Sequence, residues 1–201
     1  MPTLNRLNIP EGPVYVYFGA SAYATTPDVM PADTIAFGGV LTGTWRSVGY
    51  TNDDGITTSH ELDRGEVMSA QQRTPVLRPR NSAVDMVSGT LLEVTLENLR
   101  DILGRGTITT TPPATGIAGF KQLRLTDSSS PTIAVLIEGI APPTDGGKPR
   151  RIFFPAVEAT GSVEVNLNIG EAGANAGVAF ELTRVGGTES EPIYRDILAA
   201  L

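Results

Sequence analysis

Apolar and polar residues alternate with period two through most of the chain, and Gly and Pro cut that alternation into short pieces. Such a pattern predicts antiparallel strands with one face buried and the other wet. The clearest instance is Ser162-Val163-Glu164-Val165-Asn166-Leu167-Asn168-Ile169, where four apolar side chains share one face and four polar ones the other. Val178-Ala179-Phe180-Glu181-Leu182-Thr183 repeats it after the small-residue stretch 170–177, so these segments are expected to form a hairpin with a long Gly/Ala-rich loop. Further strands are predicted at 14–18, 44–50, 56–62, 83–94, 120–125, 132–140 and 150–158. Many short strands in one chain mean a mostly β fold, an antiparallel β-sandwich or barrel.

Between two of these strands lies Thr51-Asn52-Asp53-Asp54-Gly55, whose Asp54-Gly55 step tolerates positive φ and predicts a hairpin turn pairing 44–50 with 56–62. Period two breaks only at Leu96, Leu99, Ile102 and Leu103. Glu97, Arg100 and Asp101 lie between them and Gly104 follows, so one short flanking α-helix is expected at about 96–103. A helix of two turns is unstable alone and must lie against the sheet or a neighbouring subunit.

The remaining stretches read as arms or long loops on a single domain spanning 1–201. They are an N-terminal arm at 1–12, a loop at 64–82 carrying Arg64, Arg73, Arg78 and Arg80, a Thr/Pro/Gly loop at 107–119, and a C-terminal arm at 186–201. Long irregular pieces seldom persist in a compact domain without a task, and contact with a neighbouring subunit is one.

Composition narrows the function. With 201 residues, 40% apolar and 18% charged, the chain can build one core and is not intrinsically disordered. The absence of cysteine excludes disulfide scaffolds, Cys-ligated zinc, Fe–S clusters and thiol nucleophiles. A net charge of −7 is the wrong sign for gripping many phosphates, though not for letting DNA slide past. Acid excess is strongest over 152–201, where Arg184 and Arg195 are the only bases. No window approaches the ~18 uninterrupted apolar residues of a membrane span and the start lacks a signal-peptide core, so no membrane partner and cytoplasmic synthesis are expected.

No catalytic or ligand-binding motif is complete in the sequence. His60 is the single histidine, without a G-x-S-x-G elbow for a serine triad or a second histidine for H-E-x-x-H zinc binding. Gly146-Gly147-Lys148 lacks the first glycine and the Ser or Thr of a P-loop, and Asn52, Asp53 and Asp54 miss the spacing of a calcium loop. No catalytic residue, metal ligand or cofactor is therefore expected, and Trp45 reads as core. The arginines of 64–82 read as an arm that pairs with acidic patches on a neighbour.

Gly43-Thr44-Trp45-Arg46-Ser47-Val48-Gly49-Tyr50-Thr51-Asn52-Asp53-Asp54-Gly55-Ile56-Thr57 resembles the W-x-x-(L/V)-G-Y-x-x-(D/E)-D-G-(V/I) block of major tail proteins of long-tailed bacteriophages, particularly those infecting actinobacteria. The resemblance continues through Glu61, Arg64, Thr74-Pro75, residues 92–103, Phe153-Phe154-Pro155-Ala156 and 163–182, and departs at 107–116 and the ends. It implies a structural virion protein, not an enzyme. Such a protein is assembled in the host cytoplasm into stacked, hexameric rings that form the tail tube for DNA ejection. Its partners would be itself, the tape measure protein, and the tail-tip and tail-terminator proteins, with transient passage of DNA. On that footing Arg64, Arg73, Arg78 and Arg80 are expected between rings, and Glu164, Asn166, Asn168 and Glu181 in the lumen. The rival expectation is a monomeric β-sandwich binding, capsid-decoration or neck protein.

Overall fold

The computed structural model describes residues 14–69, 72–126, 132–141, 148–161, 163–166, 177–186 and 191–197. Its strands are β1 (Tyr15–Ala20), β2 (Arg46–Ser47), β3 (Thr51–Arg64), β4 (Val67–Ser69), β5 (Gln72–Leu77), β6 (Arg80–Leu91), β7 (Thr107–Thr111), β8 (Phe120–Arg124), β9 (Ile133–Ile140), β10 (Pro149–Ala159), β11 (Glu164–Asn166), β12 (Gly177–Arg184) and β13 (Ile193–Asp196). Helix α1 (Leu96–Leu103) follows β6. Nine strands form one antiparallel sheet in the order β2-β1-β9-β10-β12-β6-β3, with β11 on β12 and β13 on β10, curled into a half-barrel. The mostly β expectation holds. Of the expected hairpin of 162–169 with 178–183, the described residues show the antiparallel pairing Glu164↔Ala179, Val165↔Val178 and Asn166↔Gly177, and the loop lies outside them.

One sheet face carries the main core. Val16 and Phe18 of β1, Val135 and Ile137 of β9, Phe154 of β10, Phe180 and Leu182 of β12 and Val87 of β6 pack together, and α1 lays Ile102 and Leu99 on them. Burying an Ile or Phe side chain fully is worth roughly 1.5–3 kcal/mol, so this face supplies most of the driving force. Thr95 caps α1 by accepting the Asn98 N–H at 3.1 Å, and Gly104 ends it at φ 60, a left-handed conformation costly for any other residue. Asn98 and Asp101 receive the Arg46 guanidinium, Asp101 at 2.6 Å, which ties the helix to β2.

The opposite face is divided. Over β1, β9 and β10 it is covered by residues 21–45, where Met30, Leu41 and Trp45 pack on Tyr17, Ala134, Leu136 and Phe153. Trp45 meets Phe153 edge-on at 5.9 Å and packs half-buried against this smaller core. Beneath this cover Arg151 and Glu138 form a fully buried ion pair at 2.9 Å. Asp28 closes the covering loop by accepting N–H groups from Ala20 and Thr44 and the Thr44 hydroxyl.

Three expectations are corrected. Asp54-Gly55 is not a hairpin turn. β3 runs on through it, and the ladder jumps from Thr51↔Leu91 to Ile56↔Gly89, so the step sits in a bulge where Gly55 takes φ 68. Segment 44–50 accordingly contributes only β2, which pairs with β1, while β3 pairs with β6. The loops at 64–82 and 107–119 are largely hairpins, β4 with β5 and β7 with β8, because β-branched Thr and Val extend readily even without a buried face. The expected C-terminal arm contains β13, paired with β10, and the arm at 1–12 lies outside the described residues.

Candidate functional site

Register alone defines the uncovered part of the divided face. Residues paired across an antiparallel ladder share a face, and here Glu61↔Val84, Asp63↔Ser82, Thr57↔Ser88, Ser88↔Glu181, Thr183↔Glu158 and Ala179↔Glu164 link β3, β6, β12, β10 and β11. The result is a Ser/Thr surface bearing five carboxylates, Glu61, Asp63, Glu158, Glu164 and Glu181, and no Lys or Arg among the described residues that these five strands place on the uncovered part; Arg195 of β13, opposite Arg151 on the same face, donates to Asp33 of the covering segment at 3.1 Å. Of the four residues expected to act together, Glu164 and Glu181 are both here and exposed. Asn166 has its backbone here opposite Gly177, its side chain lies outside the described residues, and Asn168 lies outside them altogether.

The other grouping is a charged rim beyond the core on the opposite face. His60 bonds Asp85 through Nδ1 at 2.6 Å and the Tyr194 hydroxyl through Nε2, while Arg184 donates to the second Asp85 oxygen at 2.9 Å. Arg80, Glu191 and Pro192 complete the lining of this shallow cleft. A His–Asp pair invites a catalytic reading, but the third position holds a tyrosine hydroxyl, and both ring nitrogens are engaged in cross-linking β3, β6 and β13. Arg78 pairs with Glu66 at 2.9 Å within the hairpin region, Arg64 lies directly opposite Arg80, and the Arg73 side chain lies outside the described residues. None of the His60 partners was legible in sequence, since they stand 25 and 134 residues away and are set by strand register.

Two surface ion pairs tie down peripheral elements. Arg150 holds the Asp196 carboxyl of β13 below the usual aspartate range by a two-pronged hydrogen bond, with partial burial opposing. Lys121 of β8 similarly lowers Glu97 of α1 by hydrogen bonding. Among the described residues no group of three or more His, Asp or Glu is placed to hold a metal ion, and no helix is long and apolar enough to cross a membrane.

A profile of the phage tail tube protein family matches residues 14–195. The chain belongs to the phage tail tube protein family. No curated protein sequence matches it. As a tail tube family member it is a structural component of the virion tail that assembles with itself and with other tail proteins. The matched range takes in the nine-stranded sheet up to Arg195 of β13, both hairpins and α1, so the polar face and the charged rim are both parts of the family domain.

Proposed function

We propose that six copies of this chain close into a ring, that rings stack into a hollow tube, and that the face bearing Glu61, Asp63, Glu158, Glu164 and Glu181 lines the channel through which DNA is ejected. The observation that carries this reading is the sign of that face: five carboxylates, with Arg195 at the margin already paired to Asp33, repel phosphates, so DNA passes without sticking. β3 offers the seam. It is 14 residues long, pairs among the described strands with β6 alone, and stands at the end of the sheet order, so its outer edge invites a neighbour's strand. Asn166 and Asn168 are assigned to the same lumen as part of this proposal, and the hairpin arm of 64–82 with Arg64, Arg73, Arg78 and Arg80 to the contact with the next ring. The tube forms in the host cytoplasm around the tape measure protein, between tail-tip and tail-terminator proteins, and carries out no catalytic step.

Electron microscopy of the purified chain over a concentration range tests this. Rings or tubes with a central hole are expected, and a reconstruction should place Glu164 and Glu181 on the inner wall. A reconstruction with both residues on the outside removes the channel assignment.

A further inference from the structure

At the root of the β4–β5 hairpin the β3–β6 ladder steps from Asp63↔Ser82 directly to Arg64↔Arg80, so Asn81 is the extra residue of a bulge. A regular ladder would have set Arg64 opposite Asn81. Instead the bulge is held in place, by the Asn81 side-chain amide donating to Asp63 at 3.1 Å and the Gly65 N–H donating to the Pro79 carbonyl at 3.0 Å. Bulges re-aim side chains, and this one makes two exposed arginines direct cross-strand partners. Like charges directly opposite each other destabilise a strand pair.

Among the described residues no carboxylate forms an ion pair with either of them. Glu66 is taken by Arg78, Asp63 points from the other face and binds Asn81, and Asp85 is shared by His60 and Arg184. Glu191 lines the cleft beside Arg80 without forming an ion pair with it. We propose that Arg64 and Arg80 form an oxyanion clamp for a carboxylate of a second copy of this chain. Two planar donor forks on one face match the two oxygens of such a group. A carboxylate is favoured over a phosphate because the chain carries 22 acids against 15 bases, so every copy has surplus acid to offer, and its net charge of −7 opposes approach of a polyphosphate. The clamp rests on the conduit reading for its partner, and goes beyond it in making two of the four arginines a built site whose geometry costs the free subunit stability.

The test is sedimentation velocity of the full chain and of Arg64→Gln, Arg80→Gln and the double variant, at low and high salt, with the melting temperature of each. Association is expected to weaken about tenfold or more in each variant, and in the unsubstituted chain at high salt, while the melting temperature stays level or rises by a few degrees. Unchanged association of the variants, or a melting temperature that falls, overturns the clamp while leaving rings of the unsubstituted chain, and thus the conduit reading, standing. An unsubstituted chain that stays monomeric at every concentration removes the conduit reading and the second copy with it. Fluorescence anisotropy with a short DNA duplex covers the phosphate source. No difference between the chain and its variants is expected, and binding that disappears only in the variants overturns the carboxylate.

Discussion

Arg151 and Glu138 are register partners on β10 and β9, both without solvent exposure, and the pair is the hinge pin of the covering segment. Arg151 donates to Glu138 and to the carbonyls of Pro31, Ala32 and Ile35 at 3.3, 3.0 and 2.8 Å, and Glu138 accepts the Gly38 N–H at 2.8 Å. Arg151→Met keeps most of the side-chain volume but leaves a buried carboxylate with one donor and strips one buried and two part-buried carbonyls of their donor. Removing one partner of a buried pair costs about 3–5 kcal/mol, because the remaining charge is uncompensated. At roughly 2–4 °C per kcal/mol for a domain of this size, the melting temperature should fall by roughly 6–20 °C. Glu138→Gln is milder. It too leaves a buried charge, that of Arg151, without its counter-ion, but that charge keeps three carbonyls and the amide oxygen still accepts from Arg151 or Gly38, so a cost near the lower end of that range, about 3 kcal/mol, is expected. Scanning calorimetry gives the ranking, and hydrogen exchange should show residues 28–42 opening first in Arg151→Met. The reasoning fails if Arg151→Met lies within about 1 kcal/mol of the unsubstituted chain, the range of an ordinary surface change, or if Glu138→Gln is the costlier of the two.

Asp28→Ala removes three hydrogen bonds at the mouth of the same segment and should cost about 1–3 kcal/mol in urea unfolding, with Asp28→Asn costing less. Because Asp196 has a depressed folded-state pKa, the stability it lends β13 is complete above the ordinary aspartate value of 3.8 and is lost as the pH falls through its lower folded value. Acid should therefore raise exchange at 193–196, and Arg150→Met should abolish that acid step. Thr95→Ala, which removes the N-cap of α1, should cost about 1 kcal/mol by chemical denaturation, and Gly104→Ala a similar amount through backbone strain at φ 60.

The fold was largely legible in sequence wherever strands had one face to bury, as in 178–183, and in 132–140, whose continuous apolar run belongs to a strand buried on both sides. It was illegible where the signal had two meanings. Asp54-Gly55 reported a real positive φ, but positive φ serves a bulge as well as a turn, and only the partner strand decides between them. Thr107–Thr111 has β-branched propensity without apolar alternation, because a projecting hairpin wets both faces, so period two was silent there. The polar face was half legible: Glu164 and Glu181 could be assigned to wet sides of their own strands, while Glu61, Asp63 and Glu158 joined them only through register. The His60 contacts and the Arg64↔Arg80 pairing depend on that register too.

That register carries the functional argument. Strands β1, β9 and β10 need apolar residues on both faces because residues 21–45 cover their second side. β12, β6 and β3 gain their stability from one face and are free to place any polar residue on the other. A free choice at a wet position would mix signs, since neighbouring opposite charges gain a few tenths of a kcal/mol each and like charges lose as much. Five carboxylates gathered across adjoining strands, without a cation among the described residues of that surface, run against that gain. The stability of the subunit gives no reason for the arrangement, whereas a wall past which a polyanion must move gives one. The bulged arginine pair has the same logic with the opposite sign: a geometry the isolated subunit is better without, and an assembled one has a use for.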